Sequence, residues 1–147
     1  MSETVLELVE VSKIFNDHSS NRLTIFQNMN LKIKNSELVG IIAPSGTGKT
    51  SLLNISGLLD LPTHGEVKII DNNTRALSIE MRNNIRRKHI GFVFQSGNLI
   101  NEFNAIENVA LSRVIKGYSF SDSLGYAKKL LINCLLYTSP SPRDRSL

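Results

Sequence analysis

The stretch ELVGIIAPSGTGKTSLLNIS, residues 37–56, indicates the fold class of this 147-residue chain. Its first part, Leu38 to Ala43, is almost wholly apolar, which is typical of a parallel strand buried on both faces. From Gly48 the apolar residues recur at helical spacing, and this predicts a helix that ends near Gly57. A strand, a glycine-containing loop and a helix in this order predict an α/β domain with a mainly parallel sheet.

The loop between strand and helix matches a phosphate-binding pattern, G-x-x-x-x-G-K-[ST], except that Ala43 takes the first glycine position. Gly46 and Gly48 give the backbone the freedom to turn its N–H groups towards an anion. Lys49 can reach the β- and γ-phosphates, and the hydroxyl of Thr50 can bind magnesium. Alanine at position 43 is acceptable if its φ stays negative. The loop predicts binding of a nucleoside triphosphate with magnesium by Ala43, Pro44, Ser45, Gly46, Thr47, Gly48, Lys49, Thr50 and Ser51.

The rest of the chain alternates between short strand and helix patterns, and no internal repeat is present. Before the loop we predict strands at 5–11 and within 23–35. After it we predict a strand at 66–70, a polar helix at 78–88, an apolar strand at 90–95, and helices at 104–115 and 121–133.

Composition favours a globular protein, with 41% hydrophobic and 20% charged residues and a net charge of +4. The N-terminus lacks the basic start and apolar run of a signal peptide, and no apolar stretch approaches the ~20 residues of a membrane span. Cys134 is the one cysteine, and His18, His64 and His89 lack metal-ligand spacing. We therefore expect a cytoplasmic protein without a disulfide framework or a metal cluster.

Four stretches, in order and spacing, resemble the ATPases of ABC transporters. They are the phosphate loop; LELVEVSKIF, residues 6–15; GLLDLPTHGEVKI, residues 57–69; and RRKHIGFVFQSGNLINEFNAIENVAL, residues 86–111. The resemblance implies a P-loop NTPase fold with antiparallel N-terminal strands and a mainly parallel core sheet. It implies ATP and magnesium as ligands. Phe15 would stack on adenine, unless it is a core aromatic, and Gln95, at the end of a strand, would hold magnesium with Thr50.

Residues 43–67 and 92–109 are similar, more narrowly, to the ATPase subunits of lipoprotein-releasing transporters. This implies a peripheral subunit on the cytoplasmic face of the inner membrane that couples ATP hydrolysis to lipoprotein release. It would pair with a second ATPase subunit and contact membrane-spanning subunits near Gln95 to Val109, with Phe103 as the candidate contact unless it is a core aromatic.

Several alternatives remain open at this point. ATPases of the macrolide-exporter or cell-division type share most of the pattern. A soluble ABC protein that acts on ribosomes or DNA, or a short nucleotide-binding regulator, belongs to another class. The basic residues Arg82, Arg86, Arg87 and Lys88 form a solvated helix face, or they contact lipid headgroups or a cytoplasmic loop of a membrane partner. We predict no nucleic-acid binding, since no groove-reading pattern accompanies them.

The resemblance also predicts an LSGGQ signature, an apolar strand that ends in Asp-Glu, and a later switch histidine, and none occurs in the 147 residues. We therefore expect a chain that is truncated within the helical subdomain and contains no catalytic residue. Such a chain would bind nucleotide without hydrolysing it. The strand at 37–42 would lack its Asp-Glu neighbour. An unpaired apolar strand favours aggregation, so we expect residues 1–147 alone to be insoluble or molten.

The last fourteen residues, CLLYTSPSPRDRSL (134–147), depart from the pattern of the preceding helix. A disordered native tail is one interpretation. We favour another, because the segment resembles a sequencing-library adapter read as protein. The expected domain organisation is a partial nucleotide-binding domain over 1–133 and a non-native tail over 134–147.

Overall fold

A computed structural model of the chain describes residues 3–16 and 22–134. These residues form two compact units that divide between Phe92 and Val93. Each unit is described by itself below. His18 and nearly all of the predicted tail, residues 135–147, lie outside the described residues.

The first unit is built on a four-stranded antiparallel sheet. Its strand order is β2-β1-β3-β4. The strands and helices of this unit are β1 (Thr4–Asn16), β2 (Arg22–Lys34), α1 (Lys49–Ser56), β3 (His64–Ile69), β4 (Asn72–Asn73) and α2 (Ile79–His89). The predicted strands and helices at β1, β2, β3, α1 and α2 are confirmed with shifted ends, and the two-residue β4 is an element that the sequence pattern did not predict.

The core of this unit lies between the sheet and α1. Leu8 and Val11 of β1, Val67 of β3 and Ile55 of α1 are each 2% exposed or less. Apolar residues alternate along β1 and β3, so one face of each strand turns inward. In α1, Leu52 and Ile55 are three residues apart and share the buried face. Their burial fixes α1, and therefore the loop that precedes it, against the sheet.

A β-bulge interrupts the pairing of β1 with both neighbours between Leu8 and Ser12. Glu10 has a positive φ of 50° there, and its backbone N–H donates to the side chain of Asn30 at 2.9 Å. Gly65 of β3 packs so close to Glu10 that any side chain at position 65 would collide with the Glu10 backbone. The bulge therefore depends on glycine at this position.

The predicted buried strands at 37–42 and 90–95 are wrong for the part of the chain that the structure describes. Neither segment is a strand, and the side chains of Leu38, Ile42 and Val93 are almost completely exposed. No parallel strand pair is present among the described residues, so the expected mainly parallel core sheet is not formed there. The physical reason is that a buried parallel strand needs hydrogen-bonded strands beside it, and residues 3–16 and 22–134 offer these segments none.

The second unit is a helical hairpin made of α3 (Ala105–Ile115) and α4 (Phe120–Asn133). Both helices were predicted at these positions to within one residue. Asn104 and Glu107 form a capping box at the start of α3, and Ser119 caps α4 through the N–H of Asp122. Ala110 of α3 and Ala127 of α4 are fully buried, so small side chains allow close approach of the helices.

Candidate functional site

The loop before α1 depends on two glycines. Gly46 and Gly48 adopt φ values of 80° and 92°, in the left-handed region that favours glycine. At Gly48 there is a second constraint, because a side chain there would collide with Ile25 of β2. Ala43 is not among the residues with positive φ. Alanine therefore meets the condition that the sequence analysis set for it.

Lys49 folds back across the loop that precedes it. Its ammonium donates to the backbone carbonyls of Ala43 at 2.7 Å and Pro44 at 2.6 Å. The hydroxyl of Thr47 donates to the same Pro44 carbonyl at 2.8 Å. None of the ion pairs of the described residues includes Lys49. Its positive charge is therefore held at the loop without a neutralising carboxylate.

The first turn of α1 adds a second positive feature. Gly48 is the N-cap, so no side chain accepts a hydrogen bond from the first backbone N–H groups, and the first turn contains no acidic residue. The first four N–H groups of a helix have no partner within the helix, and the helix dipole places partial positive charge there. Together with Lys49, this arrangement favours an anion at the loop.

These groups surround an open pocket of about 300 Å³. Ile25 of β2 forms one wall, and six of the nine loop residues predicted from sequence form the rest. The lining consists of Ile25, Ser45, Gly46, Gly48, Lys49, Thr50 and Ser51. A concave site with backbone N–H groups, three hydroxyls and one lysine can bind phosphate groups by hydrogen bonds and charge.

Phe15 lies on β1 and is 46% exposed, so it is not the core aromatic that the alternative interpretation required. Its ring centroid is 4.9 Å from the Lys13 ammonium, which is also paired with Asp60 at 2.7 Å. The Lys13 ammonium therefore lies over one face of the accessible Phe15 ring. Phe15 is not among the described residues that line the loop pocket.

Gln95 is exposed and lies in a bend of the second unit. The expectation that it ends a strand is wrong, because 90–95 is not a strand among the described residues. Its predicted role as a magnesium ligand stays a prediction.

The segment from Ile100 to Asn104 is fixed by one side chain, that of Asn108. Its amide oxygen accepts from the Ile100 N–H at 2.8 Å, and its NH₂ group donates to the carbonyls of Ile100, Phe103 and Asn104 at 2.9–3.1 Å. Phe103, within this segment, is 37% exposed. The predicted partner-contact region therefore contains an accessible aromatic residue, Phe103, on a loop that hydrogen bonds from Asn108 hold in place.

Comparison with known proteins assigns the family. The ABC transporter family description matches residues 26–141. The chain belongs to the ABC transporter family. The matched range passes Asn133, so the expected boundary there stays a prediction.

Two curated relatives have the same name. The chain is 39% identical over 131 residues to the lipoprotein-releasing system ATP-binding protein LolD of Roseobacter denitrificans, which covers 89% of this chain and 58% of the relative. It is 40% identical over 128 residues to LolD of Anaplasma marginale, and the match covers 87% of this chain and 56% of that relative. The chain thus spans little more than half the length of these relatives.

Solved structures in this family place the fold among ATP-binding cassettes. A dimeric post-hydrolysis state of the cassette MJ0796 bound to ADP and Pi is similar with a TM-score of 0.78 at 40% identity, over 86% of this chain and 55% of that one. A second dimeric structure of MJ0796, described as a bacterial ABC transporter cassette, has a TM-score of 0.78 at 38% identity.

Sequence reasoning missed one pocket residue, Ile25. It is an ordinary apolar residue of β2, and its contact with Gly48 joins positions 23 residues apart, so no local pattern reveals it. In the described part of the chain, no helix is long and apolar enough to cross a membrane. Within the same residues, no group of three or more His, Cys, Asp or Glu side chains could hold a metal ion.

Proposed function

We propose that residues 43–51 bind the phosphates of ATP and that the chain is the ATP-binding part of an ABC transporter subunit. The observation that carries this proposal is the uncompensated Lys49 ammonium beside the uncapped start of α1. Both features place positive charge at the loop and therefore favour an anion there. The collision that any side chain at position 48 would make with Ile25 explains why the loop needs glycine at that point.

Magnesium and adenine have assigned partners in this proposal. The hydroxyl of Thr50 is exposed at the loop and is an oxygen ligand of the kind that magnesium prefers. The amide of Gln95 is assigned to the same ion from the family resemblance. Bound magnesium neutralises phosphate charge. Phe15 offers an accessible ring face, and stacking of a base on an aromatic ring contributes about 1–3 kcal/mol.

Binding of a fluorescent ATP analogue to the chain, fused to a soluble carrier protein, tests the first step. Lys49→Ala should weaken binding at least about tenfold, because a charge-assisted contact is worth roughly 1.5–3 kcal/mol. Lys88→Ala, at an exposed lysine of α2, is the matched control and should leave binding unchanged. Equal affinities of the wild type and Lys49→Ala would refute the assigned role.

The transporter class that we propose is lipoprotein release from the inner membrane, with this subunit peripheral on its cytoplasmic face. The names of the relatives support it, as does the A-P-S-G-T-G-K loop with the L-I-N-E-F-N-A-I-E-N-V run, residues 99–109. In the intact transporter, ATP hydrolysis would drive release. Co-purification with lipoprotein-releasing membrane subunits is expected, whereas membrane segments encoded in the same gene after the ATPase region would favour an exporter of the macrolide type.

Membrane-spanning subunits are proposed to contact the surface from Gln95 to Val109. The loop around Phe103, which Asn108 holds by hydrogen bonds, supports this contact surface. A preorganised, exposed aromatic residue is a frequent anchor in interfaces. Phe103→Ala should weaken co-purification with the membrane subunits at least about tenfold while ATP binding stays unchanged. Ile132→Ala, at an exposed residue of α4, is the control. Loss of ATP binding in Phe103→Ala would show that the residue acts on folding instead.

Hydrolysis is proposed to require a second ATPase subunit and residues that this chain lacks, in keeping with the dimeric relatives. The 147-residue chain should therefore bind ATP without turnover. Long-read sequencing of the source DNA across codon 133 should continue into a signature and an Asp-Glu strand. A true stop after CLLYTSPSPRDRSL would instead favour a short nucleotide-binding regulator.

A further inference from the structure

The turn between α3 and α4 holds an arginine between two tyrosine rings. The guanidinium carbon of Arg113 lies 4.0 Å from the ring centroid of Tyr118 and 4.4 Å from that of Tyr126. Both rings are about half exposed. A guanidinium stacked on aromatic faces is attracted by their electron density and held in a fixed plane.

The end of α3 explains how Tyr118 reaches Arg113. Gly117 adopts a φ of 97°, its N–H donates to the Val114 carbonyl at 2.9 Å, and the Tyr118 N–H donates to the Arg113 carbonyl at 3.2 Å. This pair of bonds defines a Schellman motif, which brings the residue after the glycine over the last turn of the helix. Packing of α4 on α3 then supplies Tyr126.

The guanidinium of Arg113 contains one buried hydrogen-bond donor that has no acceptor. Nε of Arg113 is the one buried side-chain N or O atom of the described residues that has no hydrogen-bond partner. Buried donors are normally satisfied, because an unpaired one loses its bond to water without replacement. Arg113 also takes part in none of the ion pairs of the described chain.

The carboxylates of the hairpin are committed elsewhere. Glu107 and Asp122 are the two acidic residues between positions 105 and 133. Glu107 accepts from the Asn104 N–H at 2.8 Å, and Asp122 accepts from the Ser119 hydroxyl at 2.6 Å, so each is used in a helix cap. Neither forms an ion pair with Arg113, Lys116, Lys128 or Lys129.

We propose that Arg113, held between Tyr118 and Tyr126, is a docking site for a carboxylate side chain of an acidic segment in a partner protein. Two N–H groups of a guanidinium, spaced to match the two oxygens of a carboxylate, form a bidentate pair. Because Nε is buried and Arg113 is partly exposed, the terminal NH₂ groups would make this contact. The two rings supply apolar walls, and aromatic residues with arginine are the composition of interface anchors. One stacked cation matches one negative charge, which favours a carboxylate over a phosphate dianion. The proposal does not depend on ATP binding.

The test uses ¹⁵N-arginine-labelled chain as the soluble carrier fusion. The side-chain N–H signal of Arg113, assigned by its loss in Arg113→Lys, is followed during titration with the peptide acetyl-Gly-Glu-Glu-Gly-amide. A saturable shift is expected at millimolar peptide, as for one charge-assisted pair. The matched peptide acetyl-Gly-Gln-Gln-Gly-amide should give at least tenfold weaker binding.

Variants separate docking from folding. Tyr118→Phe keeps the ring and should retain peptide affinity, whereas Tyr126→Leu removes one wall and should weaken it severalfold with unchanged helix content. Peptide binding by Arg113→Lys, observed on the peptide signals, should fall at least tenfold, and Arg87→Lys on α2 should have no effect. Equal binding of the two peptides, or an unchanged affinity in Arg113→Lys, would overturn the proposal. Inorganic phosphate that displaces the glutamate peptide at equal concentration would overturn the carboxylate assignment.

Discussion

Two parts of the first unit carry similar apolar sequences and have opposite environments. Leu8 and Val11 of β1 are at most 1% exposed, whereas Leu38 and Ile42 in the segment before the phosphate loop are each 99% exposed. β1 is hydrogen-bonded to β2 and β3, which lie within the described residues. The segment at 37–42 is not part of any described strand pair. Apolar content thus predicts a need for burial, and the presence of neighbouring strands decides whether burial occurs.

Removal of a buried side chain from α1 should have the largest effect on the packed sheet. Ile55→Ala deletes a fully buried side chain of α1, and such changes cost about 2–5 kcal/mol. Amide exchange in β1 and β3 of the carrier fusion should accelerate at least about 30-fold. Ile79→Ala, at an exposed residue, should change exchange little. Equal effects of the two substitutions would mean that α1 is not packed on the sheet.

Gly48→Ala tests the contact between the packed sheet and the loop. An alanine at φ 92° costs of order 1–3 kcal/mol and also meets Ile25, so ATP-analogue affinity should fall about tenfold or more. Gly117→Ala introduces alanine at a similar φ, in open space in the second unit, and should not alter nucleotide affinity. If Gly48→Ala binds nucleotide normally, the loop is not held by β2.

The exposed segment should tolerate polar substitution. The double substitution Leu38→Ser and Ile42→Ser should change the free energy of opening of β1, measured by amide exchange, by no more than about 0.5 kcal/mol. The reason is that exposed side chains contribute little to stability. The soluble fraction of the chain expressed alone should rise severalfold, since two exposed apolar side chains are replaced by polar ones. Leu8→Ser, at a buried residue, should not raise the soluble fraction. A sharp cooperative melt of the unmodified monomer would contradict the expectation of an insoluble or molten chain.

The smallest expected effect concerns Glu7 on the sheet surface. A hydrogen bond from the Lys68 ammonium, at 3.1 Å, is the main cause that lowers the pKa of Glu7 below its ordinary value. A lowered pKa in the folded state means that ionised Glu7 favours folding. This contribution is complete above the ordinary carboxyl pKa and is lost as pH falls through the lowered one.

Glu7→Gln should therefore reduce the loss of amide protection in β1 between neutral and acid pH. Glu80→Gln, at an exposed residue of α2, serves as the control and should leave the pH profile unchanged. An identical pH profile for Glu7→Gln and the unmodified chain would show that the Lys68 contact does not contribute.

Local patterns predicted most of the elements and the phosphate loop. Helix caps such as Asn104 with Glu107, and the alternation of β1, depend on residues close in sequence, so they are readable without a structure. The wall formed by Ile25 and the lack of strand pairing at 37–42 and 90–95 depend on contacts between residues far apart in the chain, which no local pattern reveals. The stacking of Arg113 between Tyr118 and Tyr126 joins a local motif to a helix–helix contact, and the sequence analysis did not identify it.

Hydrogen exchange of the carrier fusion, with and without ATP and magnesium, shows whether the packed sheet and α1 hold the nucleotide loop. We expect slow exchange in 4–16 and 64–69, fast exchange in 37–42 and 90–95, and slower exchange in 45–51 when ATP is added. Slow exchange throughout 37–42, or no response of 45–51 to ATP, would contradict this expectation.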